Sequence, residues 1–410
     1  GFFGVQIAYA LQSANITRIF ATIGADPHSL SYFWILPPLM GIIVQPLVGA
    51  ASDRTWNRLG RRLPYLLIGA AIAVIVMCLL PNAGSFGLTV AGAMVFGFNM
   101  AMQPFKMLVG DQVNERQKGL AYSIQSFLCN AGSLVGYLAP ITLTAIGISN
   151  LAPEGQVPAS VTYSFYIGAA VLVLCVIYSF IFIREMPPRE YAEYHGITKE
   201  QEESKEGMLT LLRKAPRTFW TVGLVQFFCW SAFLYMWTYT NGAIADTVWG
   251  TTDTRSAAYQ EAGNWVGVLF AVQAVGSVIW AVAIPMFKSH KTAYSLSLLL
   301  GAAGFISTMF ITNQYALFIS YMLIGCAWAA MLALPFTILT NSLSGKNMGT
   351  YLGLFNGTIC VPQICAAALG GVILPLLGGR QVNMLVLAGA FLLIGAFCVT
   401  LIRETYGEKN

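Results

Sequence analysis

Charge is the first thing this chain lacks. Of 410 residues only 10% are Asp, Glu, Lys or Arg, while 57% are hydrophobic and the mean hydropathy is strongly positive. A soluble protein of this length carries about twice that charge, so a water-soluble domain is excluded. The net charge of +5 does not indicate a nucleic-acid binder, because the cations lie in short clusters between apolar runs. Histidine is nearly absent, with three in the whole chain. The eight cysteines, Cys78, Cys129, Cys175, Cys229, Cys326, Cys360, Cys365 and Cys398, all fall inside apolar runs without a Cys-x-x-Cys pair. Buried thiols of this kind behave as small apolar side chains, which argues against disulfides and metal sites. No His/Cys/Asp cluster has metal-ligand spacing, and no nucleophile–base pair can be proposed inside the apolar runs, so an enzyme is the least favoured class. No cofactor is expected. The chain opens on an apolar run without an initiator methionine, which points to a short missing N-terminal tail, and no cleavable signal is visible.

What is abundant is hydrophobic length. Runs able to cross a hydrocarbon core of roughly 30 Å occur at 2–22, 32–51, 64–80, 87–110, 119–148, 161–183, 217–245, 263–287, 292–311, 315–341, 349–377 and 382–402. This predicts an all-α integral membrane protein of twelve spans. The cations test that map. All but Arg18, Arg255 and Arg380 of the 22 Lys and Arg fall in alternate loops, which places both termini on the cytoplasmic side. The stretch 184–216 mixes both signs and reads as a cytoplasmic linker between an N-terminal bundle, 1–183, and a C-terminal bundle, 217–410. Segment 246–262 reads as the sizeable external loop. Pro104-Phe105-Lys106-Met107-Leu108 and Pro335-Phe336-Thr337-Ile338-Leu339 form a weak internal repeat that would set the fourth span opposite the tenth.

Polar side chains in hydrocarbon need partners or a cavity. The first span carries Gln6, Tyr9, Gln12, Asn15 and Thr17 at three- to four-residue spacing. Asn99, Gln103 and Lys106 share a stripe of the fourth span, and the fifth adds Gln125 and Asn130. Gln226, Trp230, Trp237, Tyr239, Thr240 and Asn241 run down the seventh, with Gln273 in the eighth, Trp328 in the tenth, and Asn356 and Gln363 in the eleventh. Amides and hydroxyls both donate and accept, which suits sugar hydroxyls, and flat indole faces suit the C–H face of a pyranose. The mixture points to a neutral polyol substrate. For each amide the competing reading is interhelical glue, and for each aromatic it is packing or an interfacial anchor.

Between the second and third spans, Gly49-x-x-x-Asp53-Arg54 is followed by Arg58 and Gly60-Arg61-Arg62. This loop resembles the helix 2–helix 3 signature of the major facilitator superfamily, in which it acts as a cytoplasmic latch between two six-helix halves. Gln6-x-x-Tyr9-x-x-Gln12, Pro27-His28, Val44-Gln45-Pro46, Pro104-x-Lys106 with Asp111, and Gly325-x-x-Trp328 with Pro335-Phe336 resemble the sucrose-transporter branch of the glycoside–pentoside–hexuronide symporters, bacterial maltose and α-glucoside carriers above all. The resemblance implies cation-coupled uptake of a disaccharide or glucoside by alternating access, by a monomer in a bacterial inner membrane. Two positions depart from the branch: Lys106 stands where arginine is usual, and Val95 where plant members carry an aspartate linked with proton coupling.

With that aspartate missing, coupling is open. Asp26, Asp111, Asp246 and Glu261 map to span ends, and Asp111 with Lys106 is either the coupling pair or a structural salt bridge. His28 and Asp26 map to the external side. Arg18 would bind substrate, meet a gate carboxylate such as Asp26 or Asp246, or snorkel to the interface. A sodium-coupled carrier and an uncoupled facilitator remain as alternatives to proton symport. A non-transporting sugar sensor stands further off.

Overall fold

A computed structural model describes residues 1–84, 87–113, 117–153, 155–195, 207–343 and 348–403. No strand occurs among them, and one isolated bridge joins Asn57 and Gly60 in the 55–62 loop. Twelve long helices run in order: α1 Phe2–Thr22, α2 Leu36–Arg54, α3 Leu63–Leu79, α4 Gly87–Gln112, α5 Lys118–Ala145, α6 Ala159–Phe182, α7 Arg217–Thr247, α8 Ala257–Ala283, α9 His290–Ser307, α10 Leu317–Ser342, α11 Met348–Leu376 and α12 Gln381–Val399. Nine of the helices among the described residues are long and apolar enough to cross a membrane by length and composition. Helix α1 carries Gln6, Gln12, Asn15, Thr17 and Arg18 among its apolar residues. In α1 those side chains are largely turned inward, since Gln12, Asn15, Thr17 and Arg18 are all buried.

Three boundaries differ from the sequence expectation. The second span does not begin at residue 32. A 3-10 turn over Pro27–Ser29 and a single helical turn over Leu30–Phe33 precede it, and α2 starts at Leu36. Helix α8 begins at Ala257, six residues early, because Ser256 Oγ accepts the Tyr259 N–H and caps it. The loop between α7 and α8 is therefore only 248–256, shorter than the 146–158 connection between α5 and α6.

The chain divides into two compact units, Gly1–Ala25 with Leu39–Ser204 and Asp26–Pro38 with Lys205–Asn410. Residues 26–38 thus pack with the C-terminal helices. In the first unit α1 lies against α5 and α6, and α3 lies against α4 and α6. In the second, α7 packs on α11 and α12, α10 on α8 and α9, and α9 on α12.

With no hydrophobic effect between helices in lipid, close backbone approach has to supply the packing. The α3–α4 crossing shows it. Gly69 and Ala73 face Gly97 and Ala101, so that a Cβ on Gly69 would sit 2.5 Å from Ala101 N and one on Gly97 2.7 Å from Ala73 N. Both obstacles are backbone, which cannot swing aside as a side chain can. Gly97→Leu is accordingly expected to destabilise the first unit by at least the ~1–3 kcal/mol of an overpacked core. The check is thermal unfolding in detergent. An unchanged midpoint would mean that the crossing opens without cost.

Candidate functional site

In the first unit Tyr9 of α1 meets α4, and α4 in turn meets α2. Gln45 Nε2 on α2 donates to Asn99 Oδ1 on α4 at 2.7 Å, and the rings of Tyr9 and Phe98 lie 5.4 Å apart. Asn15 Nδ2 returns to its own helix at Leu11 O, as does Asn130 Nδ2 at Ser126 O. Gln12, buried, has a side-chain oxygen without a partner among the described residues, and so has Gln125 on α5. Gln6 is half-buried. The side chains of Asp53, Gln103 and Lys106 lie outside the described residues.

Arg18 does not snorkel. It is 1% exposed, and its guanidinium donates to Asn150 Oδ1 at 2.7 Å, an oxygen that also accepts from Ser160 Oγ. Its reach is taken by the loop joining α5 to α6.

The loop from α2 to α3 organises an ionic cluster. Asp111, in the last turn of α4, binds Arg61 at 3.2 Å and Arg62 at 3.0 Å. Arg62 is 2% exposed and also donates to Ser52 Oγ, while Arg54 points outward. The partners of Asp111 include these arginines of the loop; the sequence paired it with Lys106, whose side chain lies outside the described residues. Glu185, just beyond α6, was not singled out by its residue type. Its carboxylate accepts the backbone N–H groups of Arg61, Arg62 and Leu63 at 2.7 to 2.9 Å. It closes the N-terminus of α3, where unpaired N–H groups and the helix dipole favour a negative charge. Gly60 has φ +111° and a Cβ there would meet the Glu185 carboxyl carbon at 2.9 Å, so this turn requires glycine. Tyr191, on the short helix Pro188–His195, lies under Arg61 with the guanidinium 4.2 Å from the ring centroid. Burial first and Asp111 second push its phenol above the ordinary tyrosine range, so it stays neutral.

Helix α7 carries two opposed stripes, as a rotation of roughly 100° per residue requires. On one, Tyr235 OH donates to Ala366 O at 2.9 Å and Arg380 Nε donates to Asp246 Oδ2 at 3.1 Å, tying α7 to α11 and to the start of α12. On the other stand Gln226, Trp230, Phe233, Trp237 and Asn241. Trp230 Nε1 donates to Gln226 Oε1 at 2.7 Å, and Gln226 Nε2 reaches Thr358 Oγ1 on α11 at 3.4 Å.

Trp328 of α10 enters this second stripe. Its ring lies 5.3 Å from Trp230, 5.1 Å from Phe233 and 5.9 Å from Trp237, edge-on to both indoles. One turn before it, Gly325 lets α10 close onto the backbone of α8 at Gln273, itself buried. Asn241 is 3% exposed, and neither its Nδ2 nor its Oδ1 has a hydrogen-bond partner among the described residues. A buried amide left so costs about 1–3 kcal/mol. Asn356 is exposed on α11, its Nδ2 reaching only Cys360 Sγ at 3.9 Å, and it does not join the aromatic group.

Residues 26–34 contribute a ring that the sequence had placed merely within the second span. Trp34, 4% exposed, stacks on Trp237 with centroids 6.0 Å apart and planes 21° apart. Asp26 Oδ1 accepts the His28 N–H at 2.9 Å and caps the turn, and His28 is exposed.

Residues 1–243 match the profile described as Major Facilitator Superfamily. Among curated proteins, the chain is 23% identical to sucrose transport protein SUC4 of Arabidopsis thaliana, over 97% of this chain and 87% of that one. It is 30% identical to the human membrane-associated transporter protein over 48% of this chain and 40% of that one. To the human proton-associated sugar transporter A it is 29% identical, over 33% of this chain and 20% of that one. Among solved structures, a D-xylose–proton symporter superposes with a TM-score of 0.71 at 14% identity, covering 100% of this chain and 98% of that one. The nucleoside transporter NupG gives 0.69 at 14% identity, covering 98% and 96%.

Proposed function

The chain belongs to the major facilitator superfamily, and from that premise we propose that it is a secondary transporter of a neutral sugar, a disaccharide or glucoside such as sucrose or maltose, coupled to protons. It is an integral membrane transporter rather than an enzyme. Sugar as cargo is supported by the name of the SUC4 relative, and proton coupling by that of the human proton-associated relative. Maltose has no counterpart among these relatives and enters from the sequence resemblance alone.

The single observation that carries the reading is the second stripe of α7. It sets Trp230 and Trp237 edge-on to Trp328 of α10 and carries, four residues beyond Trp237, a buried amide whose donor and acceptor are both unpartnered among the described residues. An indole face takes the C–H side of a pyranose, and an amide can donate to one hydroxyl while accepting from its neighbour. On this reading Trp230, Trp237, Trp328 and Asn241 form the sugar site of the second unit, and Gln6, Tyr9, Gln12 and Asn99 the polar surface of the first. The twelve helices all span, both termini are cytoplasmic, and Asp111 with Arg61 and Arg62 holds the cytoplasmic loop.

A second reading, an uncoupled facilitator, is favoured by the carboxylates themselves. Asp111 is already bound by two arginines, Asp246 by Arg380, and Glu185 by three N–H groups. Sucrose and maltose uptake into proteoliposomes under an imposed pH gradient separates the two. Accumulation that collapses with a protonophore is the expected result. Equilibration indifferent to pH and sodium gradients would establish the facilitator, and no flux of either sugar would refute the substrate class. These relatives come from a plant and a mammal, and a bacterial inner membrane enters from the sequence resemblance alone.

A further inference from the structure

Residues 26–38 are continuous with α1 and α2 yet pack as part of the second unit. Their seat is a pair of glycines on α11. A Cβ on Gly370 would lie 2.7 Å from Ser31 Cβ and 2.8 Å from both Ser31 Oγ and Tyr239 OH, and one on Gly371 would strike the His28 carbonyl oxygen. Only a flat, side-chain-free strip of helix accepts this segment. Leu30, Ser31 and Trp34 are buried there, and their exposure is 2%, 0% and 4%. The hydroxyls of Ser31 and Tyr239, both buried, meet each other beside Gly370.

What the segment delivers is the Trp34 indole. The rings of Trp328 and Phe233 meet Trp237 at 80° and 62°, whereas Trp34 lies nearly parallel to it at 21°. A parallel contact is the one a pyranose C–H face makes with an indole. Trp34 therefore holds the place on Trp237 that a sugar ring needs.

We propose that residues 27–34 are a lid on the aromatic site, seated on Gly370 and Gly371, in which Trp34 competes with the sugar for the face of Trp237. The lid rests on the reading of that site as sugar-binding, and two readouts keep the ideas separable. Trp34 is here an access residue rather than a binding residue, and the two roles shift KM in opposite directions. Trp34→Ala removes a competitor and is expected to lower the uptake KM several-fold, whereas Trp237→Ala is expected to raise it. A KM that rises in Trp34→Ala overturns the proposal.

The second readout needs no sugar. Ser31→Cys, in right-side-out vesicles with the wild-type chain as the control for native thiols, is exposed to a membrane-impermeant maleimide. Adding Gly371→Ala, which places a methyl group against His28, is expected to speed labelling about tenfold, the factor for a contact of about 1.4 kcal/mol. Trp34→Ala serves in its place should the glycine variant fail to fold. Labelling no faster in a folded variant overturns the lid. Faster labelling in a protein that moves neither sucrose nor maltose would keep the lid and refute only the substrate class.

Discussion

Asp111→Asn is expected to cost about 3–5 kcal/mol of stability, because it removes the carboxylate charge that the guanidinium of Arg62, 2% exposed, meets at 3.0 Å. Asparagine keeps the shape and one acceptor, so the loss reports charge rather than volume. Uptake is expected to fall roughly tenfold or more as well, since a bias of ~1.4 kcal/mol in the conformational equilibrium of a carrier shifts populations by that factor. Asp111→Glu should recover part of both. The informative variant is Asp111→Leu with Arg62→Met, which removes both buried charges together. Apolar replacement of a buried pair is often neutral for stability, so the thermal midpoint should return toward the parent while transport stays low. If transport returns with stability, the cluster serves only to hold the fold.

Asn241→Leu is expected to move stability and activity in opposite directions. The amide is buried with neither polar atom partnered, and a leucine of similar shape removes that desolvation cost. The sugar-free protein should gain about 1–3 kcal/mol. Uptake should meanwhile lose at least about tenfold in kcat/KM, since the substrate forgoes one or two hydrogen bonds and buries its own hydroxyls unpaired. Thermal unfolding in detergent and proteoliposome uptake together decide the matter. A variant that is less stable, or one that transports at the parental rate, would make Asn241 a packing residue.

Much of this architecture was legible from residue order alone. The twelve helices follow from hydrophobic length, since hydrocarbon forces backbone groups to bond within a segment. The ionic loop was legible because four arginines and an aspartate within ten residues cannot enter lipid. The stripe of Trp230, Trp237 and Asn241 emerges from helical spacing. What could not be read were partners distant in the chain. Arg61 and Glu185 are 124 residues apart, and nothing in the Arg184-Glu185-Met186-Pro187 stretch distinguishes a helix-capping carboxylate from an ordinary linker charge. Trp34 lay unnoticed in an apolar run, since the helical break at 34–35 that turns it toward Trp237 follows from the seat offered by Gly370 and Gly371. The unpartnered state of Asn241 likewise depends on which side chains fail to reach it.

The two stripes of α7 also limit how this stretch can change over generations. Inserting or deleting one residue between Trp237 and Asn241 would rotate everything beyond it by roughly 100°. Asn241 would leave the indoles, and Asp246 would leave Arg380. No compensating slide is open to the helix, because its ends are tied, Thr218 Oγ1 to the Arg403 carbonyl and Asp246 to the start of α12. Chains that keep both sets of contacts can therefore vary in residue identity between 237 and 241 but not in length, and a gap inside that window is expected to abolish the proposed sugar site.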